Sequence, residues 1–286
     1  MFTRPHHELL RAEPRYFDIA FDVRDLEAEC AFLHHLSLHL GRGRLDSFLE
    51  SCCGPGFHMH WFAAQGVRAY GIDVDPDMLS YAQDKACRLA ETARLAPEAN
   101  GRGRNGLAHP PNAMPIVTDP LDYSLPEAVD LAFCPRSSLR YLLEDEEVVA
   151  HLVTTAKNLG RGGLYVLELD HPAVLFGQRA DPERTWEAKR EGVRVRVQRG
   201  TGREIVDPLT HICEVEWVFD IEEPGRAQTI RDRAPLRFFT HRELRALVGL
   251  SGVFDWVATF GDLAVTQPFD ASEGSRRMVP VLRCSI

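Results

Sequence analysis

The chain has 286 residues, of which 44% are hydrophobic and 26% charged, enough for one α/β domain with an insertion or for two small domains. A formal net charge of −9 argues against a nonspecific nucleic-acid binder, whose footprint is basic. No apolar run reaches the roughly eighteen residues of a membrane span.

The opening MFTRPHHELL is polar and lacks an apolar h-region, so no signal peptide is expected. SFLESC reads as a short buried strand. HMHWFAAQ follows as a helix that places Met59, Phe62 and Ala63 on one face. VRAYGID is a second strand. PDMLSYAQDKACRLAETARL is a longer helix, with Pro76 in its first turn and Leu79, Ala82, Ala86 and Leu89 as its apolar stripe. APEANGRGRNGLAHPPNA is a polar, Gly/Pro-rich loop. MPIVTD and AVDLAFC are two more strands. EDEEVVAHLVTTAKNLG is a helix with acids in its first turn, where they complement the dipole, and Gly160 as its stop. GGLYVLELD is a fifth strand.

Beyond Pro172 the pattern changes. GVRVRVQRG, REIVDP, HICEVEWVFDI and RAQTIRDRAPLRFF alternate as antiparallel strands do. THRELRALVGLSG reads as a helix, with Thr240 and Glu243 as a capping box. The predicted fold class is α/β: a Rossmann-like, doubly wound, mostly parallel sheet with an inserted antiparallel β element.

The segment between the first strand and its helix carries the functional signal. It reads Cys52, Cys53, Gly54, Pro55, Gly56, and Asp73 ends the next strand. Such a turn is where open α/β sheets bind nucleotides, and the acid can accept hydrogen bonds from a ribose diol. A dinucleotide site needs G-x-G-x-x-G/A, yet Met59 stands at the third small position, and no Walker lysine follows. The turn therefore suits a nucleoside without a pyrophosphate, and S-adenosylmethionine fits.

LESCCGPGFHMHWFAAQGVRAYGIDVDPDMLSYAQDKA resembles the first cofactor motif of the class I S-adenosylmethionine-dependent methyltransferases, E-x-G-x-G-x-G followed by G-x-D-x-S-x-x-M-L. The likeness extends to IVTDPLDYSLPEAVDLAFCPRSSLRYL and HLVTTAKNLGRGGLYVLELDHP and covers roughly residues 15 to 172. Cys52 replaces the usual first glycine, and Asp75 the usual serine. The resemblance implies S-adenosyl-L-methionine as cofactor and a role for each matching residue. Glu50 would order the turn and face the methionine amino group. Cys52 would form the turn, and Gly54 and Gly56 would line the methionine and ribose path. Asp73 would hold the ribose hydroxyls, and Val74 or Met78 would flank the adenine. Asp119 would reach the adenine amino group with Pro120 and Leu121 beside it, and Cys134 would supply backbone near the methionyl portion. Tyr16, in YFDIAFD, would close over cofactor or substrate. Residues 1–172 are then an N-terminal segment and the cofactor-binding core, 173–239 inserted strands that form a substrate lid or wall, and 240–286 the completion of the core.

The expected activity is methyl transfer to a small-molecule N or O acceptor by in-line displacement, where positioning supplies much of the rate. Arg136, Tyr141 and His171 lie near the predicted carboxyl rim of the sheet, with His171 the first candidate for a general base and Tyr141 for an orienting hydroxyl; His211, in the inserted strands, is a weaker candidate. Cys52 and Cys53 lack a second, correctly spaced pair, and His58 and His60 point to different helix faces, so no metal site is expected. Seven cysteines without framework spacing fit reduced thiols in a cytoplasm. The expected partner is the small-molecule acceptor, with a homodimer compatible and neither nucleic acid nor membrane involved. A noncatalytic module that binds the same cofactor would carry the same motifs. A nicotinamide oxidoreductase is disfavoured by Met59, and a nucleic-acid methyltransferase by charge and by CPRSSL, which stands where an NPPY-type or PC motif would be.

Overall fold

A computed structural model describes residues 13–95, 112–177, 184–202 and 204–286. The expected Gly/Pro-rich loop lies almost wholly outside the described residues, as does the opening decapeptide. Among the described residues two helices come first, α1 (Pro14–Phe21) and α2 (Leu26–Leu40). The alternating core follows: β1 (Ser47–Ser51), α3 (Phe57–Ala64), β2 (Arg68–Asp73), α4 (Pro76–Leu95), β3 (Ala113–Val117), β4 (Val129–Cys134), a 3-10 turn (Ser138–Tyr141), α5 (Asp145–Lys157) and β5 (Leu159–Leu167). Then come β6 (Leu169–Asp170) and α6 (Pro172–Leu175). Four long strands make the insertion: β7 (Thr185–Arg190), β8 (Val193–Arg199), β9 (Ile212–Glu223) and β10 (Arg226–Arg237). The chain ends with α7 (His241–Ser251), β11 (Phe254–Phe260) and β12 (Arg277–Cys284).

The main sheet runs β11–β12–β5–β4–β1–β2–β3. Strands β1 to β5 pair in parallel, and β12 is antiparallel between β5 and β11. All five residues of β1 are buried, as a central parallel strand covered on both faces requires. Alternate side chains feed two cores. Leu49, Ile72, Ala132 and Tyr165 pack with Leu152 of α5 and Leu244 of α7. Phe48, Ala69, Phe133 and Val166 pack on the other face with Leu33 of α2 and Phe62 of α3. The second sheet, β7–β8–β9–β10, is wholly antiparallel. Its inner face, with Val195, Val197, Phe219 and Ile221, packs on Ile19, Ala20 and Phe21 of α1 and on Phe57 of α3. Helix α1 is thus the joint between the two sheets. Among the described residues, no helix is long and apolar enough to cross a membrane.

Several local expectations shift. Helix α5 ends at Lys157, before Gly160. Asn158 stops it by accepting from Leu125 N at 2.7 Å and donating to Tyr123 O at 3.1 Å. Gly160 instead lies inside β5, where a Cβ would collide with Arg42 Nη1. The apolar stripe of α4 ends at Ala86, and Leu89 is exposed. Helix α3 buries nearly its whole surface rather than one face. The described part of REIVDP forms no strand, because the Asp207 carboxylate takes the N–H groups of Leu209 and Thr210 and folds the chain into a turn.

Candidate cofactor and acceptor site

The carboxyl ends of β1, β2, β4 and β5 converge on one edge of the sheet, the edge where parallel α/β sheets hold ligands. The turn after β1 holds three left-handed residues at alternate positions: Cys52 (φ 53°), Gly54 (φ 52°) and Gly56 (φ 72°). Cys53 N donates to Ile72 O at 3.0 Å, and Gly56 N to Cys53 O at 2.9 Å. Asp73 completes the cradle: its Oδ2 accepts from Gly54 N at 2.9 Å and its Oδ1 from Asp75 N at 3.1 Å. Burial pushes this carboxyl up despite those bonds. Each oxygen retains acceptor capacity beyond its one backbone donor. Gly56 carries no Cβ where one would lie 2.5 Å from Met59 Cε.

The remaining predicted contacts divide. Val74 is exposed at the rim and Met78 is buried beneath it. Asp119 accepts from Leu121 N at 2.9 Å, which makes it a turn former; Pro120 O takes a bond from His151, and Leu121 O one from Thr154. Cys134 ends β4, and its carbonyl accepts from Glu168 N at 3.0 Å. Glu50 orders the turn but does not face into it. It is 1% exposed, with Oε2 accepting from Met59 N at 2.9 Å and Oε1 bonded to His58 Nδ1 at 2.8 Å. Tyr16 does not close over the turn either, because its hydroxyl donates to Glu223 of β9 at 3.1 Å. The next residue, Phe17, takes that place: its Cε1 lies 3.3 Å from where a Cβ on Gly54 would be.

Beside the turn lies a cavity of about 130 Å³ between the two sheets. The core contributes Arg136, Glu168, Asp170 and His171, the second sheet Trp186, Arg199 and Trp217, and α1 contributes Phe21. Arg136 (φ 55°) and Ser137 (φ 57°) are consecutive left-handed residues without the freedom of glycine. Glu168 holds them there, its Oε2 accepting from Arg136 N at 2.9 Å and its carbonyl from Ser137 N at 3.0 Å. Burial alone would raise the Glu168 carboxyl, but the Arg24 and Arg277 guanidiniums bring it down to about 2. Asp170 is held by Arg140 and Arg199. Burial also opposes its charge, and those two guanidiniums keep its pKa below the usual range.

His171 lines this cavity as an N-cap. Its Nδ1 accepts from Ala173 N at 3.1 Å, so Nε2 carries the proton and donates to Asp270 O at 3.1 Å. Its basic nitrogen is therefore already committed, against the expected role of base. Tyr141 sits in the 3-10 turn and packs on the Cys213, Val215 and Leu236 cluster of the second sheet rather than on the cavity wall. His211 bonds Glu243 at 3.1 Å, at the start of α7. Reading the sequence missed Phe17, Glu168 and Asp170. The two acids had a signal in LELD, where acidic residues end an otherwise apolar buried strand.

No family model and no curated protein matches the chain. Solved structures do. An S-adenosylmethionine-dependent methyltransferase from Clostridium acetobutylicum superposes with a TM-score of 0.68 at 12% identity, over 93% of this chain and 94% of that one. DesVI of Streptomyces venezuelae gives 0.66 at 21%, over 94% and 95%. The sugar N-methyltransferase KedS8 from Streptoalloteichus gives 0.68 at 17%, over 100% and 98%. The fold is that of the S-adenosylmethionine-dependent methyltransferases. The second sheet belongs to it, since each superposition spans more than nine-tenths of both chains.

Within this methyltransferase fold the turn fits a nucleoside cofactor without a pyrophosphate. Met59 is fully buried under the turn. Its Sδ would lie 2.7 Å from a Cβ on Gly71, so it fills the space between α3 and β2 that a dinucleotide site keeps for a small residue.

Proposed function

We propose that the protein is an S-adenosylmethionine-dependent methyltransferase acting on a nitrogen or oxygen of a small molecule. The observation that carries this reading is the pairing of the Gly54–Gly56 cradle with Asp73, set beside a cavity roofed by the second sheet. Asp73 would take the ribose hydroxyls, and Gly54 and Gly56 would let the ligand approach the backbone. The cofactor supplies a methyl group on a sulfonium, already a good leaving group. The chain's own contribution is placement: Arg136 and Ser137 set the cavity floor, Trp186 and Trp217 its roof, and Phe17 and Phe21 exclude water between them. Glu168 and Asp170 are each committed to two arginines and His171 to a cap, so an amine acceptor would react as the free base and the proton released on transfer would pass to water. Solved relatives of the fold include a sugar N-methyltransferase and a glycopeptide N-methyltransferase, which favours amines among the acceptors. Seven cysteines without the spacing of a disulfide framework are in keeping with a reducing cytoplasm.

A screen with methyl-labelled S-adenosylmethionine against small amines, amino sugars and phenols tests the reading. Transfer of label to at least one acceptor is expected. Tight cofactor binding with no transfer to any acceptor would favour a noncatalytic binding module.

A further inference from the structure

His58 is fully buried in α3, and the cofactor reading leaves it unused. Both of its ring nitrogens face carboxylates: Nδ1 lies 2.8 Å from Glu50 Oε1 and Nε2 3.0 Å from Glu29 Oε2. The other oxygen of each acid also receives an N–H, from Met59 N at Glu50 and from the Arg24 guanidinium at Glu29. Each acid thus already accepts an N–H through one oxygen and turns the other to the ring, and an ionised carboxylate offers no proton to a ring nitrogen. Between two such anions a neutral imidazole would turn one lone pair against a carboxylate, whereas an imidazolium donates to both. The rest of the surroundings agree. Phe133 in β4 makes a T-shaped contact with the ring, 4.9 Å between centroids. The thiols of Cys30 and Cys53 are pushed up by burial and stay neutral, and burial brings His60 down to about 4, so it too is neutral.

The chain of contacts continues beyond Glu29. Arg24 binds Glu29 on one side and Glu168 on the other, and Glu168 binds Arg277 and the backbone of Arg136. Glu50 fixes the turn that leads to Gly54, and Glu168 fixes the strained Arg136–Ser137 corner of the acceptor cavity. We propose that His58 is a positioning residue: an imidazolium that clamps Glu50 under the cofactor turn and ties it, through Glu29 and Arg24, to Glu168 on the acceptor wall. The proposal rests on the reading of the turn as the cofactor site. One buried positive charge between two anions holds the halves of the site in fixed relation, because moving either acid leaves the imidazolium uncompensated.

The pH dependence has a definite sign. Burial opposes the charge on His58, but Glu50 and Glu29 outweigh it and raise the ring above the ordinary histidine value. The clamp is complete below the unfolded-state value, persists through the range where a free histidine titrates, and is lost as pH rises through the folded value.

Two measurements on the full chain test this. With ¹⁵N-histidine labelling at about pH 7.5, His58 should show both nitrogens protonated, where free histidines are mostly neutral. Calorimetric titration with S-adenosylmethionine should give wild-type affinity that is flat near neutrality and declines on the alkaline side. His58→Gln should weaken binding about tenfold or more and abolish the alkaline decline. Glu29→Gln keeps Glu50 and the ring in place, which covers the case where His58→Gln fails to fold. It should move the decline to lower pH, since one anion is gone. A neutral His58 ring overturns the proposal. So does a His58→Gln protein that binds as the wild type does, or a Glu29→Gln protein with an unmoved pH profile. Wild-type protein without affinity at any pH overturns the cofactor reading instead, and the positioning role with it, whatever the nitrogen spectrum shows.

Discussion

Cys52 and Asp73 occupy the proposed cofactor site for different physical reasons. Cys52 adopts φ 53°, a conformation that costs a residue with a Cβ about 1–2 kcal/mol. Cys52→Gly should remove that cost while adding about 0.4–1 kcal/mol of unfolded-chain freedom. The expected net effect in urea unfolding is therefore between neutral and about 1.6 kcal/mol more stable. A clear loss of stability would show that the thiol makes contacts worth more than the strain. Asp73 is there for its acceptors. Asp73→Ala should weaken S-adenosylmethionine binding by about ten- to a hundredfold, with folding checked by circular dichroism. Affinity equal to the wild type would reject its assignment to the ribose. Asp73 was legible in the sequence because two neighbouring motifs fix its place on the chain. Tyr16 was not, because a helix turns about 100° per residue and only the packing of α1 decides that Phe17 faces Gly54. The tautomer of His171 was equally hidden, since Asp270, whose carbonyl accepts from its Nε2, lies far along the chain.

Helix α1 shows what an element does that no single contact reveals. It lies against the second sheet through Ile19, Ala20 and Phe21 and over the cofactor turn through Phe17. Asp18 pins it, accepting from Tyr81 at 2.9 Å and Lys85 at 2.6 Å in α4 and from Arg190 in β7. Burial would raise this carboxyl, but Lys85 and Arg190 bring its pKa below the usual value. A depressed folded-state value means the stabilisation is present above the unfolded-state pKa and is lost as pH falls through the folded one. Asp18→Ala should therefore cost about 1–3 kcal/mol at neutral pH, a figure reduced for the solvent exposure of Arg190, and the difference from wild type should shrink under acid. Urea titrations at neutral and acidic pH measure both. A pH-independent difference would mean that Asp18 acts through packing rather than charge. The capping box of α7 was readable because Thr240 and Glu243 are close in sequence. Strand β7 was not, because a largely exposed edge strand carries little alternation.

At the scale of the molecule, two sheets with different tasks meet at one edge. The alternating strands and helices from β1 to β5 were legible because each βαβ unit repeats its own hydrophobic signal. The antiparallel insertion was legible as a class of structure, with Trp217 and Phe219 on one face of β9. The place of β12 between β5 and β11 was not, because strand order comes from long-range pairing and leaves no local mark. Nor was the cavity between the sheets, whose walls join residues from Phe21 to Arg277. Met59 decides which nucleotide this architecture suits, by filling the space beside Gly71 where a dinucleotide site has a small residue that lets helix and strand pack closely. The most direct test is calorimetry of the full chain with S-adenosylmethionine and, separately, with a nicotinamide dinucleotide. One equivalent of S-adenosylmethionine bound per chain, with no detectable dinucleotide binding, is the predicted result; dinucleotide binding, or no affinity for S-adenosylmethionine, would contradict it.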